Sequence, residues 1–94
     1  MNKRQLIAAA ARQSTLTQVQ TRQALEAILV VISHSLADGE HVIISGFGRF
    51  DVQHYAGRKL HRFDGPGHYE VKDRRLPVFR ASNLLRRKLR RKGS

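Results

Sequence analysis

Residues 58–71 read Arg58-Lys59-Leu60-His61-Arg62-Phe63-Asp64-Gly65-Pro66-Gly67-His68-Tyr69-Glu70-Val71. Asp64-Gly65 sits at the centre, and a two-residue type I′ turn needs positive φ at both of its central positions. With that pair as the tip, Phe63 faces Pro66, His61 faces His68, Leu60 faces Tyr69 and Lys59 faces Glu70. An apolar pair and an opposite-charge pair then fall in register, so the segment predicts a two-stranded ribbon. Pro66-Gly67 also permits a wider loop, which shifts the register. From Gln53 to the tip is about ten residues, an extended reach of roughly 30–35 Å. Between Gln53 and Asp73 the chain is basic and offers little apolar surface to hold it against a core. An isolated ribbon is marginal in water, so this one is expected to protrude as an arm and to firm up on a partner.

The flanks supply what the arm lacks. On its N-terminal side Val42, Ile43 and Ile44 form a β-branched run, Gly46-Phe47-Gly48 makes a turn, and Phe50 and Val52 alternate with polar neighbours. On its C-terminal side Leu76, Val78 and Phe79 predict a short strand, and Pro77 suits an edge position. Phe47, Phe50 and Phe79 read as core aromatics. Further out the period changes to that of helices. Asn2 and Gln5 have the form of a capping box ahead of Leu6, Ile7, Ala10 and Ala11, which predicts a helix over residues 3–13. Thr17 and Gln20 repeat the signal for a long second helix ending near Asp38-Gly39. Its apolar stripe is Leu25, Ile28, Leu29, Ile32 and Leu36, and Val30 and Val31 widen it. A helix so broadly apolar needs cover on more than one side, which points to dimerisation. Ser82 caps a last helix bearing Leu84, Leu85 and Leu89. The fold class is therefore α+β in one domain over residues 1–94. Residues 1–38 form its helical part, 40–81 a sheet with the arm at about 53–73, and 82–94 a final helix with a basic tail.

Charge separates these parts. Among 94 residues, 18 are Lys or Arg and 7 are Asp or Glu, a net charge of +11. Through Phe47 there are four basic and three acidic residues; beyond it there are fourteen and four. A near-neutral part that packs and a strongly basic part that binds polyanions follow, with nucleic acid the leading partner. The chain has no cysteine, so neither a disulfide framework nor a thiolate zinc site holds it, and a reducing cytoplasm suits it. No run approaches the roughly 20 apolar residues of a membrane span. The opening Met1-Asn2-Lys3-Arg4-Gln5 lacks the apolar core of a secretory signal.

No Walker loop, dinucleotide fingerprint or catalytic Ser, His and Asp arrangement occurs, so no enzyme, cofactor or small-molecule substrate is expected. His54, His61 and His68 recur every seven residues. Two imidazoles without a carboxylate or thiolate make a poor structural zinc site, and no metal is expected.

Met1-Asn2-Lys3, Gly46-Phe47-Gly48-Arg49-Phe50, Arg58-Lys59 and Pro77-x-Phe79-Arg80 occur at spacings that resemble the bacterial HU/IHF family of DNA-bending proteins, closest to HU, without gaps over about residues 1–90. The resemblance implies an intertwined homodimer or heterodimer with a helical base, a small antiparallel sheet and two β-ribbon arms that wrap the minor groove of double-stranded DNA. It places Gly46 and Phe47 in the turn beneath the DNA and Arg58, Lys59 and Arg62 on the arm. Lys3, Arg80, Asn83 and Arg86 match flanking phosphate contacts. His61, Lys72, Arg74 and Arg75, along the arm and its root, complete the expected DNA-binding set.

This chain also departs from the family pattern. Arg62-Phe63 replaces the Asn-Pro of the intercalating tip, and Gln53 and Tyr55 stand where many relatives carry arginines. Lys72 replaces a frequent proline, and Ser82 a usual glycine. Phenylalanine is among the side chains that unstack base steps, so Phe63 is the expected wedge, with Pro66 supporting it across the turn. The implied function is largely sequence-independent DNA binding and bending in a cytoplasmic nucleoid. A sequence-preferring heterodimer subunit of the IHF kind and a basic RNA-binding protein are the alternatives.

Overall fold

The computed structural model describes residues 1–61 and 68–93, and the side chains of 1–57 and 72–90. The expected tip residues Arg62, Phe63 and Pro66, and the Asp64-Gly65 turn, lie outside the described residues.

Each helix starts where its capping residues allow. In α1 (Lys3–Gln13), the Gln5 backbone N–H donates to Asn2 Oδ1 and the Asn2 N–H to Gln5 Oε1, both at 2.9 Å, closing the expected capping box. Helix α2 (Gln18–Ala37) repeats it: Gln20 N–H donates to Thr17 Oγ1 at 3.1 Å and Thr17 N–H to Gln20 Oε1 at 3.0 Å. These reciprocal bonds satisfy donors that a helix start otherwise leaves open. Helix α2 stops at Gly39, whose φ of +82° carries the chain out of the last turn while its N–H reaches the Leu36 carbonyl. Ser82 begins α3 (Asn83–Gly93), its Oγ accepting from the Leu85 N–H at 3.1 Å.

The strands are β1 (Val42–Ile44), β2 (Gly48–Tyr55), β3 (Arg58–His61), β4 (His68–Val71) and β5 (Arg74–Ala81). Antiparallel β1-β2-β5 form one sheet, and β3-β4 form a separate two-stranded ribbon. The ribbon pairs Lys59 with Glu70, Leu60 with Tyr69 and His61 with His68, the register expected from the sequence. Pro77 lies on edge strand β5, opposite Val52.

Two expectations change. The C-terminal strand is eight residues long rather than short, and the arm does not begin at Gln53. Gln53, His54 and Tyr55 pair with Leu76, Arg75 and Arg74, so they extend the sheet. The ladder breaks at Ala56-Gly57 and Lys72-Asp73, where the Asp73 carboxylate accepts the Gly57 N–H in place of a ladder bond. Apolar periodicity cannot show this extension, because cross-strand pairing rather than burial keeps these residues in the sheet.

Residues 1–35 and 36–94 form two compact units. Among the described residues Ile7 is the only buried hydrophobic side chain, and Thr21 the only buried polar one. On α2, Ile28 and Val30 are each 52% exposed and Val31 63%. Phe50 and Phe79 pack at 5.1 Å and Phe47 and Phe79 at 5.4 Å between ring centroids. Yet Phe47 and Phe79 remain exposed. The aromatic cluster forms as expected, but within one chain it is half a core. A domain this short, with this much apolar surface in water, requires cover from another polypeptide.

Candidate nucleic-acid interface

Strand alternation sorts the sheet into two faces. Directly paired residues share a face, so Phe50 and Phe79 lie together with Val52 and Pro77 on one side. The other side carries Arg49 opposite Arg80, Asp51 opposite Val78, Gln53 opposite Leu76 and Tyr55 opposite Arg74. One face thus carries the aromatic pair, with His54 and Arg75 at its far end, and the other carries Arg49 beside Arg80, with Arg74 six residues away along β5 at the end nearest the ribbon.

On the polar face the charges are organised. Arg49 Nε donates to Asp51 Oδ2 at 2.7 Å, and Arg80 Nε lies 3.8 Å from the same oxygen. The Arg74 guanidinium sits 4.9 Å above the centroid of the Tyr55 ring, a cation–π contact at the root of the arm. Tyr55, Ala56, Asp73 and Arg74 line an open cleft of about 560 Å³ there, together with His54 and Arg75.

The turn that joins β1 to β2 is anchored at both ends. Gly46 has φ +79°, which a residue with a Cβ adopts only under strain. The Phe47 N–H donates to the Ile44 carbonyl at 3.0 Å, and the Phe47 carbonyl accepts from Ser82 N–H at 2.9 Å. The start of α3 is therefore fixed beside the turn, with exposed Asn83 and Arg86 in its first turn. Lys3 belongs to the other compact unit, where its Nζ lies 3.5 Å from Glu26 Oε1.

The residues expected to bind DNA divide accordingly. Arg74 and Arg80 share the polar sheet face, and Gly46 and Phe47 form the adjoining turn. Arg58, Lys59 and His61 lie on β3 of the ribbon. Lys72 is exposed at the ladder break. Arg75 differs: it points to the face of Phe79, and its Nη1 donates to the Ala37 carbonyl at 3.0 Å.

Arg49, Asp51 and Tyr55 join the polar face without having been singled out as contacts. Their shared odd parity along β2 is a signal for them, once β2 is known to run to Tyr55. Among the described residues no three His, Asp or Glu side chains gather as a metal site, and no helix is long and apolar enough to cross a membrane.

Comparisons with known proteins agree on one kinship. A family model described as bacterial DNA-binding protein matches residues 1–90. DNA-binding protein HU of Staphylococcus aureus (strain COL) is 36% identical over 86 residues, spanning 92% of this chain and 96% of that protein. DNA-binding protein HU of Streptococcus mutans is 34% identical over 85 residues, spanning 90% and 93%. Among solved structures, an Anabaena HU–DNA cocrystal structure superposes with a TM-score of 0.80 at 30% identity, covering 95% of this chain and 97% of that one. HU from Thermotoga maritima gives 0.69 at 28% identity, covering 95% and 98%.

Proposed function

This chain belongs to the family of bacterial DNA-binding proteins, and from that premise we propose that it binds and bends double-stranded DNA as a dimeric, histone-like architectural protein. The single observation that carries the reading is the sorting of the sheet, which puts the Arg49–Arg80 pair and, at the ribbon end, Arg74 on the same face. Such a face meets the phosphate backbone, and a ribbon of two strands fits a groove. Phosphate neutralisation supplies most of the affinity and makes it fall steeply with salt. The minor groove offers few sequence-specific donors and acceptors, so shape and deformability govern the choice of site.

Within this reading Arg58, Lys59, His61 and Arg62 follow the groove along the arm, with Lys72 and Arg74 at its root. Lys3, Arg80, Asn83 and Arg86 take flanking phosphates. Gly46 lets the turn lie close beneath the duplex, and Phe63, supported by Pro66, is the wedge that opens a base step. The exposed apolar residues of α2 and the aromatic cluster are covered by a second subunit, most simply a second copy. The duplex is the partner, no chemistry is performed on it, and the protein resides with the chromosome in the cytoplasm.

A competition assay tests this reading. Intact duplex, nicked or pre-bent duplex and RNA of equal length compete for the purified protein, with the bend read by energy transfer between duplex ends. Preference for nicked or pre-bent DNA, with bending of the intact duplex, is the expected result. Preference for RNA overturns it, and failure of the chain to dimerise alone points to a heterodimeric partner.

A further inference from the structure

Arg49 and Arg80 are direct cross-strand partners, so two guanidiniums of like charge confront each other on the polar face. Like charges directly opposed across strands are unfavourable. Asp51 resolves the conflict. It lies two residues from Arg49 on the same face, and its Oδ2 lies within 2.7 Å of Arg49 Nε and 3.8 Å of Arg80 Nε. The Asp51 side chain is 21% exposed, whereas those of Arg49 and Arg80 are 49% and 59% exposed. The carboxylate is recessed and the cations stand forward. A guanidinium carries five N–H donors, and contact through Nε leaves the four on Nη. Both arginines also line a mostly apolar groove of about 250 Å³, bounded by Ile43, Ile44, Ser45 and Ser82. The two cations at its rim, beside Ser45 and Ser82, suit a phosphodiester.

We infer that Asp51 is a positioning residue, hydrogen-bonded to Arg49 Nε and in ion-pair range of Arg80 Nε, so that the Nη donors of both arginines converge on one DNA phosphate at this groove. The inference rests on the DNA-binding reading above. Asp51 contributes by orienting two flexible side chains before the duplex arrives, which reduces the ordering cost of binding. Net charge alone makes the opposite statement, since removing a carboxylate from a phosphate-binding face strengthens attraction to DNA. The two accounts differ in the sign of one measurement.

That measurement is the affinity of the full chain for a short fluorescein-labelled duplex, by anisotropy, for wild type, Asp51→Asn and Arg49→Lys. Positioning requires Asp51→Asn to bind about 5-fold more weakly despite its gained positive charge, as expected for loss of charge-assisted orientation. Arg49→Lys keeps the charge but loses the planar fork, and it weakens binding to a similar degree. The double variant is less than additive if both act through one contact. Thermal melts monitored by circular dichroism establish that the variants are folded. Unchanged or tighter binding by folded Asp51→Asn overturns the inference. Should that variant not fold, unchanged affinity of Arg49→Lys overturns it equally. A wild type that ignores duplex DNA sinks the functional reading itself, whereas a binding wild type with an indifferent Asp51→Asn sinks the positioning role alone.

Discussion

Arg75 Nη1 donates to the Ala37 carbonyl at 3.0 Å, so a cation of β5 caps the C-terminal turn of α2. Its neighbour Arg74 lies on the other face of the strand, above the Tyr55 ring. Adjacent arginines therefore do different work. Arg75→Ala is expected to lower stability by about 1 kcal/mol, the scale of a charge-assisted bond to a helix C-terminus. Arg74→Ala is expected to leave stability nearly unchanged and to reduce the salt slope of DNA binding by about one. Chemical denaturation and binding at several salt concentrations separate the two. Equal effects of both variants on the salt slope would contradict the division.

Gly48 leaves no room for a side chain. A Cβ there meets the Phe79 ring at 2.5 Å and the Arg80 carbonyl at 2.7 Å. The carbonyl belongs to the paired strand and cannot retreat, so the ring must move from Phe47 and Phe50. Gly48→Ala is expected to cost about 1–3 kcal/mol, as overpacked sites do. A shift of the urea midpoint at constant slope measures it.

Apolar surface left uncovered by one chain makes stability depend on concentration. The melting temperature is expected to rise with protein concentration, as mass action requires when subunits fold together. Val31→Lys, at a side chain 63% exposed within one chain, is expected to abolish that dependence and the dimer with it. Sedimentation at two concentrations checks both statements, and a monomer that melts identically at all concentrations refutes them.

Phe63 is proposed as the wedge. Phe63→Ala is expected to reduce the bend of a short duplex, while the phosphate contacts keep affinity within roughly tenfold. Energy transfer between duplex ends provides the angle. An unchanged angle with intact affinity removes Phe63 from that role.

Much of this was legible locally. Asn2 with Gln5, Thr17 with Gln20, and Ser82 announced three helix starts because capping is satisfied within four residues. The pairing of Lys59 with Glu70 and of His61 with His68 follows once Asp64-Gly65 is taken as the tip, since a short turn dictates its register. The extent of β2 and β5 was not legible. Gln53, His54 and Tyr55 have no apolar alternation, and only pairing with Leu76, Arg75 and Arg74 keeps them in the sheet.

The sequence by itself determined the elements, their order, the concentration of positive charge beyond Phe47 and the kinship that these imply. Local hydrogen bonds, turn geometry and side-chain period are short-range, so a one-dimensional reading reaches them. Tertiary structure decided which of two adjacent arginines faces the aromatic side and which faces the polar one. It also decided that Asp51 meets both Arg49 and Arg80, and that the arm begins beyond Tyr55 rather than at Gln53. Each of these depends on the register of residues nineteen or more positions apart. One residue of slip exchanges the two faces of a strand, and no local signal on β2 reports where β5 will lie.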